Sequence, residues 1–325
     1  MNIAILGTGI YGLAIASILA KNKHNITMWS ESKEKIQEYN QTKNLKTIAP
    51  NYKLPKNIKV VGDYEKALKD AEIVFICSGS KFVDKVTNDI KDYINSEITF
   101  CIASKGLDEN TGSLLSDILR KNLNTKNICV ISGPTFAVDI LNNEPVALAL
   151  ASTNKTSAQK VYDALNCDFL KLRMSKDIIG VQICGSVKNI IAIASGILGG
   201  LGYSESTQAF LINESLHDIK HLIKYMGGKP KTILSFAGVG DLLMTSMSKK
   251  SRNYSFGEVI GRTNDINKIN DFLDTHTVEG YFTLKTVVKL LEKKNIDIPI
   301  IYLINDIVDG KIEAKELAEF LINKK

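Results

Sequence analysis

Arginine is scarce in this chain. Of 41 basic residues among 325, only Arg120, Arg173, Arg252 and Arg262 are arginine; the rest are lysine. The net charge of +6 has no run of five or six like charges behind it, which argues against a nucleic-acid-binding arm or a polybasic membrane anchor. The scarcity also narrows a search, because an anion that needs a planar fork has four candidates. Cysteine is sparse too. Cys77, Cys101, Cys129, Cys167 and Cys184 are odd in number and show neither a C-x-x-C nor a zinc-type spacing. They read as reduced thiols of a cytoplasmic protein. His24, His217, His221 and His276 form no metal set; His217 and His221, near Glu214, read as an exposed helix face, so no metal is expected. No stretch reaches the roughly 18 uninterrupted apolar residues of a membrane span. The apolar segment Ile10–Ala20 is not read as a signal peptide, since no Lys or Arg precedes it and glycines break its start.

What is present is ordinary globular composition, 44% hydrophobic and 23% charged, in a chain long enough for two domains. Strand-like runs at Asn2–Leu6, Asn25–Trp29, Ile73–Cys77, Ile98–Ile102, Ile128–Ser132 and Ala147–Ala151 alternate with helical patterns such as Tyr11–Lys21, Lys81–Ile94 and Ser113–Asn122. That alternation predicts a parallel α/β sheet covered on both faces. Beyond about residue 175 the strand signal fades. Helical stretches follow at Asp177–Leu198, Thr207–Met226, Lys231–Ser235, Tyr254–Ile260, Phe282–Lys294 and Ala314–Lys324. The polar, proline-containing segment Asn40–Asn57 reads as a mobile loop.

Gly7-Thr8-Gly9-Ile10-Tyr11-Gly12 is a G-x-G-x-x-G between the first strand and the first helix. The first glycine permits the tight turn, the second lets backbone approach a pyrophosphate, and the third lets helix and strand pack closely. The fold class is therefore α/β, with a Rossmann-type parallel-sheet domain over residues 1–178 and an all-α domain over 179–325. Glu31, 19 residues past Gly12, can accept hydrogen bonds from the adenosine ribose, which tips the cofactor reading toward NAD. It can equally be a helix-start charge, and nearby Lys33 and Lys35 keep NADP open.

The second half places Lys188 and Asn189 inside an apolar helix, where a buried ammonium needs a partner or a task. Small residues around them (Gly185, Ala192, Ser195, Gly196 and Gly199) would admit a flat ligand or another backbone. Gly238-Val239-Gly240-Asp241 sets a carboxylate after two glycines, as a functional group or a helix cap. Ser251-Arg252-Asn253 gathers a hydroxyl, a guanidinium and an amide before a helix; it reads as a phosphate grip or as a cap with an exposed arginine. Ser104-Lys105-Gly106 and Ser132–Ala137 lie at strand ends, where open α/β sheets bind ligands. Val278-Glu279-Gly280 holds an acidic residue before a helix.

Taken together and in order, these blocks, with Gly199-Gly200-Leu201-Gly202, resemble the bacterial NAD(P)-dependent glycerol-3-phosphate dehydrogenases over nearly the whole chain. The resemblance implies reversible hydride transfer between a nicotinamide and C2 of sn-glycerol 3-phosphate. It implies Lys188 as general acid/base with Asp241 beside it, and Lys105, Gly133, Thr135, Asn189, Asp241, Ser251, Arg252 and Asn253 as substrate contacts. For NAD or NADP it implies Gly7, Gly9, Ile10, Tyr11, Gly12, Glu31, Lys105, Ala137, Arg252, Thr277 and Glu279. A small-molecule substrate and a homodimer are family-level expectations. Departures from the family pattern are the bulkier Ile10, the surroundings of Glu31, and Met244-Thr245-Ser246, none of which is expected to touch the chemistry. A related β-hydroxyacid dehydrogenase and a non-catalytic nucleotide sensor are the alternative readings.

Overall fold

The computed structural model describes residues 1–263 and 265–324; Asn264 and Lys325 lie outside the described residues. The chain divides into two compact units. The first is Met1–Lys105 with Leu115–Ile178, and the second is Gly106–Leu114 with Ile179–Lys325.

The first unit is built on one eight-stranded sheet. Its strands are β1 (Asn2–Leu6), β2 (Asn25–Trp29), β3 (Ile58–Val61), β4 (Ile73–Ile76), β5 (Thr99–Ile102), β6 (Ile128–Ser132), β7 (Val146–Ser152) and β8 (Leu170–Ser175), in the order 3-2-1-4-5-6-7-8. Every residue of β4, β5 and β6 is buried, so both faces of the sheet are covered. The helices are α1 (Ile10–Lys21), α2 (Lys33–Thr42), α3 (Tyr64–Leu68), α4 (Val83–Ile90), α5 (Leu115–Leu123), α6 (Ala137–Leu141) and α7 (Lys155–Leu165). α1 packs on α6 and α7, and α4 packs on α5. α1 is apolar nearly all round and buries nine consecutive residues from Gly12 to Ala20, as a helix against the centre of a sheet must.

One strand pair departs from the all-parallel expectation: β7 runs antiparallel to β6. The link between them carries only the five-residue α6. Such a helix rises about 7.5 Å, less than half of the roughly 17 Å that β6 spans, so it is too short to serve as the crossover helix of a parallel pair. β3 and β8 had no counterpart among the expected strands. β8 alternates buried and exposed residues at the sheet edge, with Lys171 and Arg173 on its exposed face. The segment 40–57 also differs from expectation. It has no strand, yet Leu45, Ala49 and Leu54 are buried in the core of this unit and pin it.

The second unit is helical: α8 (Ile178–Gly200), α9 (Glu205–Tyr225), α10 (Asp241–Ser246), α11 (Arg252–Thr263), α12 (Ile266–Thr275), α13 (Glu279–Lys294), α14 (Pro299–Val308) and α15 (Glu316–Asn323). The expected helix at 231–235 is a 3-10 turn, Pro230–Leu234. α8 is long and apolar enough to cross a membrane by length and composition, but nearly all of it is buried within the structure. Its small-residue face is taken by backbone. A β-carbon at Gly257 of α11 would stand 1.9 Å from the Ile193 carbonyl oxygen, and one at Gly196 would stand 2.0 Å from that of Tyr254. Of the two occupants the sequence left open, the second helix is the one found.

Candidate active site

In the first unit the chain turns at the end of β1, beside β4, where the strand order reverses. Gly7 sits at φ +128°, and a β-carbon there would meet the Cys77 carbonyl at 2.8 Å. One at Gly12 would stand 2.4 Å from the Gly7 carbonyl oxygen, whereas one at Gly9 would meet nothing within 4 Å. The loop is closed toward the protein and open at the N-terminus of α1. No side chain caps that terminus and no carboxylate sits in its first turn. This is the shape and polarity a pyrophosphate needs. Ser78, next to Cys77, has a buried hydroxyl with no hydrogen-bond partner among the described residues, a group that a ligand oxygen would satisfy. Sequence reasoning missed Ser78; its position just past β4 was the available signal. Cys77 itself is no nucleophile, since burial pushes its thiol up to about 12.

Beyond β2, the buried Ser30 and Thr8 hydroxyls are 2.7 Å apart. The Glu31 side chain is 73% exposed and 3.9 Å from Lys85, a pair too exposed to hold it. Tyr64 stacks on Trp29 at 4.2 Å, and its buried hydroxyl has no partner among the described residues. Burial, then the carboxylates of Asp89 and Glu31, push that phenol above its ordinary pKa. Lys35 donates to the Thr8 carbonyl at 3.3 Å, inside the glycine loop. An acceptor and a cation thus lie past the end of β2, while Lys33 opens α2. The residues present fit a dinucleotide.

Other expected residues of this unit fall at strand ends. Thr135 is buried, and its Oγ1 lies 3.1 Å from the Tyr11 hydroxyl, so the structure brings these two together. Gly133 is held against β7, where a β-carbon would meet the Ala147 carbonyl at 2.4 Å. Ala137 opens α6, Ile10 is exposed at the start of α1, and Lys105 is half-buried past β5.

In the second unit α8 carries Lys188 and Asn189 into the interior, 5% and 3% exposed. Lys188 Nζ donates to Asp241 Oδ1 at 2.6 Å and to Thr245 Oγ1 at 2.7 Å. Asp241 is fully buried at the start of α10. It arrives there through a kinked turn, Phe236–Gly240, in which Gly238 leaves helical geometry at φ −88° and ψ −110° and packs on the Ile233 carbonyl. Thr245, one turn further along α10, donates to the Asp241 carbonyl at 2.7 Å. Its single proton is thereby committed, so toward Lys188 its oxygen accepts. Here the expectation that Met244-Thr245-Ser246 lies off the chemistry is corrected. The signal was the i, i+4 spacing from Asp241.

Nearby, Asn253 Oδ1 accepts the Gly280 N–H at 2.8 Å, tying α11 to α13. Gly280 also lies against the Asn189 carbonyl, where a β-carbon would come to 2.7 Å. Ser251 Oγ accepts from the Tyr254 N–H at 3.3 Å and caps α11, with Arg252 exposed in the first turn. Thr277 is exposed before α13, and Glu279 is half-buried in its first turn. Among the described residues no group of three or more His, Cys, Asp or Glu could hold a metal ion.

Two family models match the chain. The N-terminal model of NAD-dependent glycerol-3-phosphate dehydrogenase covers residues 2–158, and the C-terminal model covers 177–319. A glycerol-3-phosphate dehydrogenase (NAD(P)+) of Staphylococcus aureus is 31% identical, with 99% of this chain and 98% of that protein aligned. Among solved structures, a glycerol-3-phosphate dehydrogenase from Coxiella burnetii superposes with a TM-score of 0.93 at 29% identity, covering 99% of both chains. A D-mandelate dehydrogenase with a TM-score of 0.63 at 15% identity shares the fold alone.

Proposed function

The chain belongs to the NAD-dependent glycerol-3-phosphate dehydrogenase family, and from that premise we propose how its own residues run the reaction. The enzyme interconverts sn-glycerol 3-phosphate and dihydroxyacetone phosphate with NAD(P), the step that supplies glycerol 3-phosphate for phospholipid synthesis. The observation that carries the mechanism is the buried Lys188–Asp241–Thr245 set.

When bound, the nicotinamide supplies the hydride to the carbonyl carbon. As negative charge builds on the carbonyl oxygen, Lys188 gives it a proton; in the oxidative direction the neutral amine takes that proton back. Asp241 and Thr245 fix the nitrogen from one side, and their own hydrogen bond keeps the hydroxyl an acceptor.

We assign residues 1–178 to the dinucleotide and 179–325 to the substrate. Gly7, Gly9, Ile10, Tyr11, Gly12, Glu31, Ala137, Thr277 and Glu279 serve the cofactor in this reading. Gly133, Thr135, Asn189, Ser251 and Asn253 serve the substrate, with Lys105 and Arg252 serving both. Glu31 favours NAD, while Lys35 on the Thr8 carbonyl keeps a cation at hand for a 2′-phosphate. A homodimer in the cytoplasm completes the proposal.

Arg252 is the anion grip in this reading, since its exposed guanidinium stands at the start of a capped helix. Arg252→Lys should raise KM for dihydroxyacetone phosphate by about tenfold or more, with a smaller change in kcat, because the fork is lost. An unchanged KM would remove Arg252 from substrate capture.

A further inference from the structure

The sequence has no continuous basic run, yet the first unit gathers one in space. From Asn40 to Gly62 the chain carries no Asp or Glu. Within that stretch Lys43, Lys46, Lys53, Lys56 and Lys59 all line a single cavity of about 720 Å³, and no acidic residue lines it. None of the five is ion-paired with a carboxylate among the described residues; Lys43 instead lies over the Tyr39 ring at 5.1 Å. Of the two acidic residues that flank the stretch, Glu38 accepts the Thr47 N–H at 3.1 Å and the Thr47 hydroxyl and feels the Lys46 charge, and Asp63 accepts the Glu65 N–H at 2.8 Å as the cap of α3.

The cavity is a built feature. The buried Leu45, Ala49 and Leu54 anchor its loop. The Tyr39 hydroxyl donates to the Ile58 carbonyl at 3.0 Å, and Asn57 donates to the Ala20 and His24 carbonyls at 2.8 Å. Apolar and aromatic walls from Tyr39, Tyr52, Leu54 and Ile58 concentrate the field of the ammonium groups. Nor is this the dinucleotide site. Ile58 pairs with Ile26, and Ile26 with Ile3, so the cavity opens at the strand-start end of the sheet, while Gly7 follows the opposite end of β1.

Five like charges around one concavity repel one another, and one phosphate would neutralise only part of them. Lysines supply mobile point charges rather than planar forks, which suits a flexible, charge-dense chain of oxygens. We propose that this cavity binds a soluble anion carrying two or more linked phosphate groups. The same phosphate chemistry exists on anionic lipid headgroups, but a concavity of about 720 Å³ walled by Tyr39, Tyr52, Leu54 and Ile58 fits a free ligand better than a flat lipid surface.

The test is calorimetric titration of tripolyphosphate into the full-length enzyme. Saturating NADH and glycerol 3-phosphate are present throughout, so that the other anion sites are filled. The wild type should bind one tripolyphosphate, more weakly as salt rises toward about 0.15 M. A triple variant, Lys46→Gln, Lys53→Gln and Lys56→Gln, should lose about tenfold or more in affinity while keeping turnover and melting temperature; Lys53→Gln alone should show a partial loss. A control that neutralises the exposed Lys220, Lys231 and Lys268 should bind like the wild type. Absence of binding at low salt, equal binding by the triple variant, or equal losses in the control would overturn the proposal. Cosedimentation with phosphatidylglycerol vesicles but no uptake of tripolyphosphate would overturn it in favour of a lipid surface.

Discussion

At Lys188 a cation only 6% exposed is held against a carboxylate with no exposure at all. Such a pair is costly to desolvate and is kept for what it does rather than for net stability. Lys188→Ala should abolish turnover and leave NADH binding nearly intact, because the glycine loop proposed to hold the pyrophosphate lies in the other unit. It should also cost stability, about 3–5 kcal/mol, by removing the charge opposite the buried Asp241, so binding and folding must be measured beside activity. Wild-type-like kcat would remove Lys188 from the mechanism. Thr245→Val tests positioning more finely. It should lower kcat by roughly ten- to a hundredfold with little change in KM and shift the pH–rate profile, while Thr245→Ser restores much of both. A purely structural threonine would leave the pH profile in place. Lys188 and Asp241 could be singled out in the sequence because a lysine in an apolar helix and a carboxylate after two glycines are both anomalies. Thr245 carried only the weaker signal of its i, i+4 spacing from Asp241, because a threonine in a helix is ordinary until its partner is known.

At the scale of elements, the crossing of α8 and α11 sets the position of the lysine. The two backbones approach so closely that a β-carbon at Gly257 would fall 1.9 Å from the Ile193 carbonyl oxygen. No rotamer change relieves a clash with backbone, so Gly257→Ala should force the helices apart and cost about 1–3 kcal/mol or more. Thermal or denaturant unfolding checks this, and an unchanged midpoint would mean that the crossing is looser than the structure shows. The glycines were visible in the sequence, but whether a ligand or a helix filled their face was not, because spacing carries no information about the partner. Strands showed the same split. The buried central strands announced themselves as continuous apolar runs, whereas β8, with lysine and arginine on its open face, matched neither that pattern nor the helical one. In the loop 40–57 the three buried anchors were not legible for a related reason: they are separated by polar residues and lost in the local average.

At the scale of the whole molecule, the long-range features are a division into two units and the way charge is spread over them. In the helical unit Lys285 bonds Asn305 at 2.7 Å and also Asp309, joining α13 to the end of α14. Burial alone would raise the Asp309 pKa; hydrogen bonds and charge from Lys285 and Lys311 outweigh it and hold the carboxyl below its ordinary 3.8. A depressed carboxylate stabilises the fold above its unfolded pKa, and that share is lost as pH falls through the lower folded value. Melting temperature should therefore drop below about pH 4, and less steeply in Asp309→Asn than in the wild type. Equal slopes would remove the ion pair from the acid limb. The division into a sheet-built and a helical part was legible from the change of pattern near residue 175. The assignment of Gly106–Leu114 to the helical unit was not, since no local signal marks a short excursion that returns to its sheet.

The most direct test of the central claim is the absorbance of reduced nicotinamide in the presence of dihydroxyacetone phosphate, run separately with NADH and NADPH. The account predicts oxidation of at least one, with kcat/KM higher for NADH if Glu31 faces the ribose. Folded protein that binds nucleotide yet oxidises neither would contradict it.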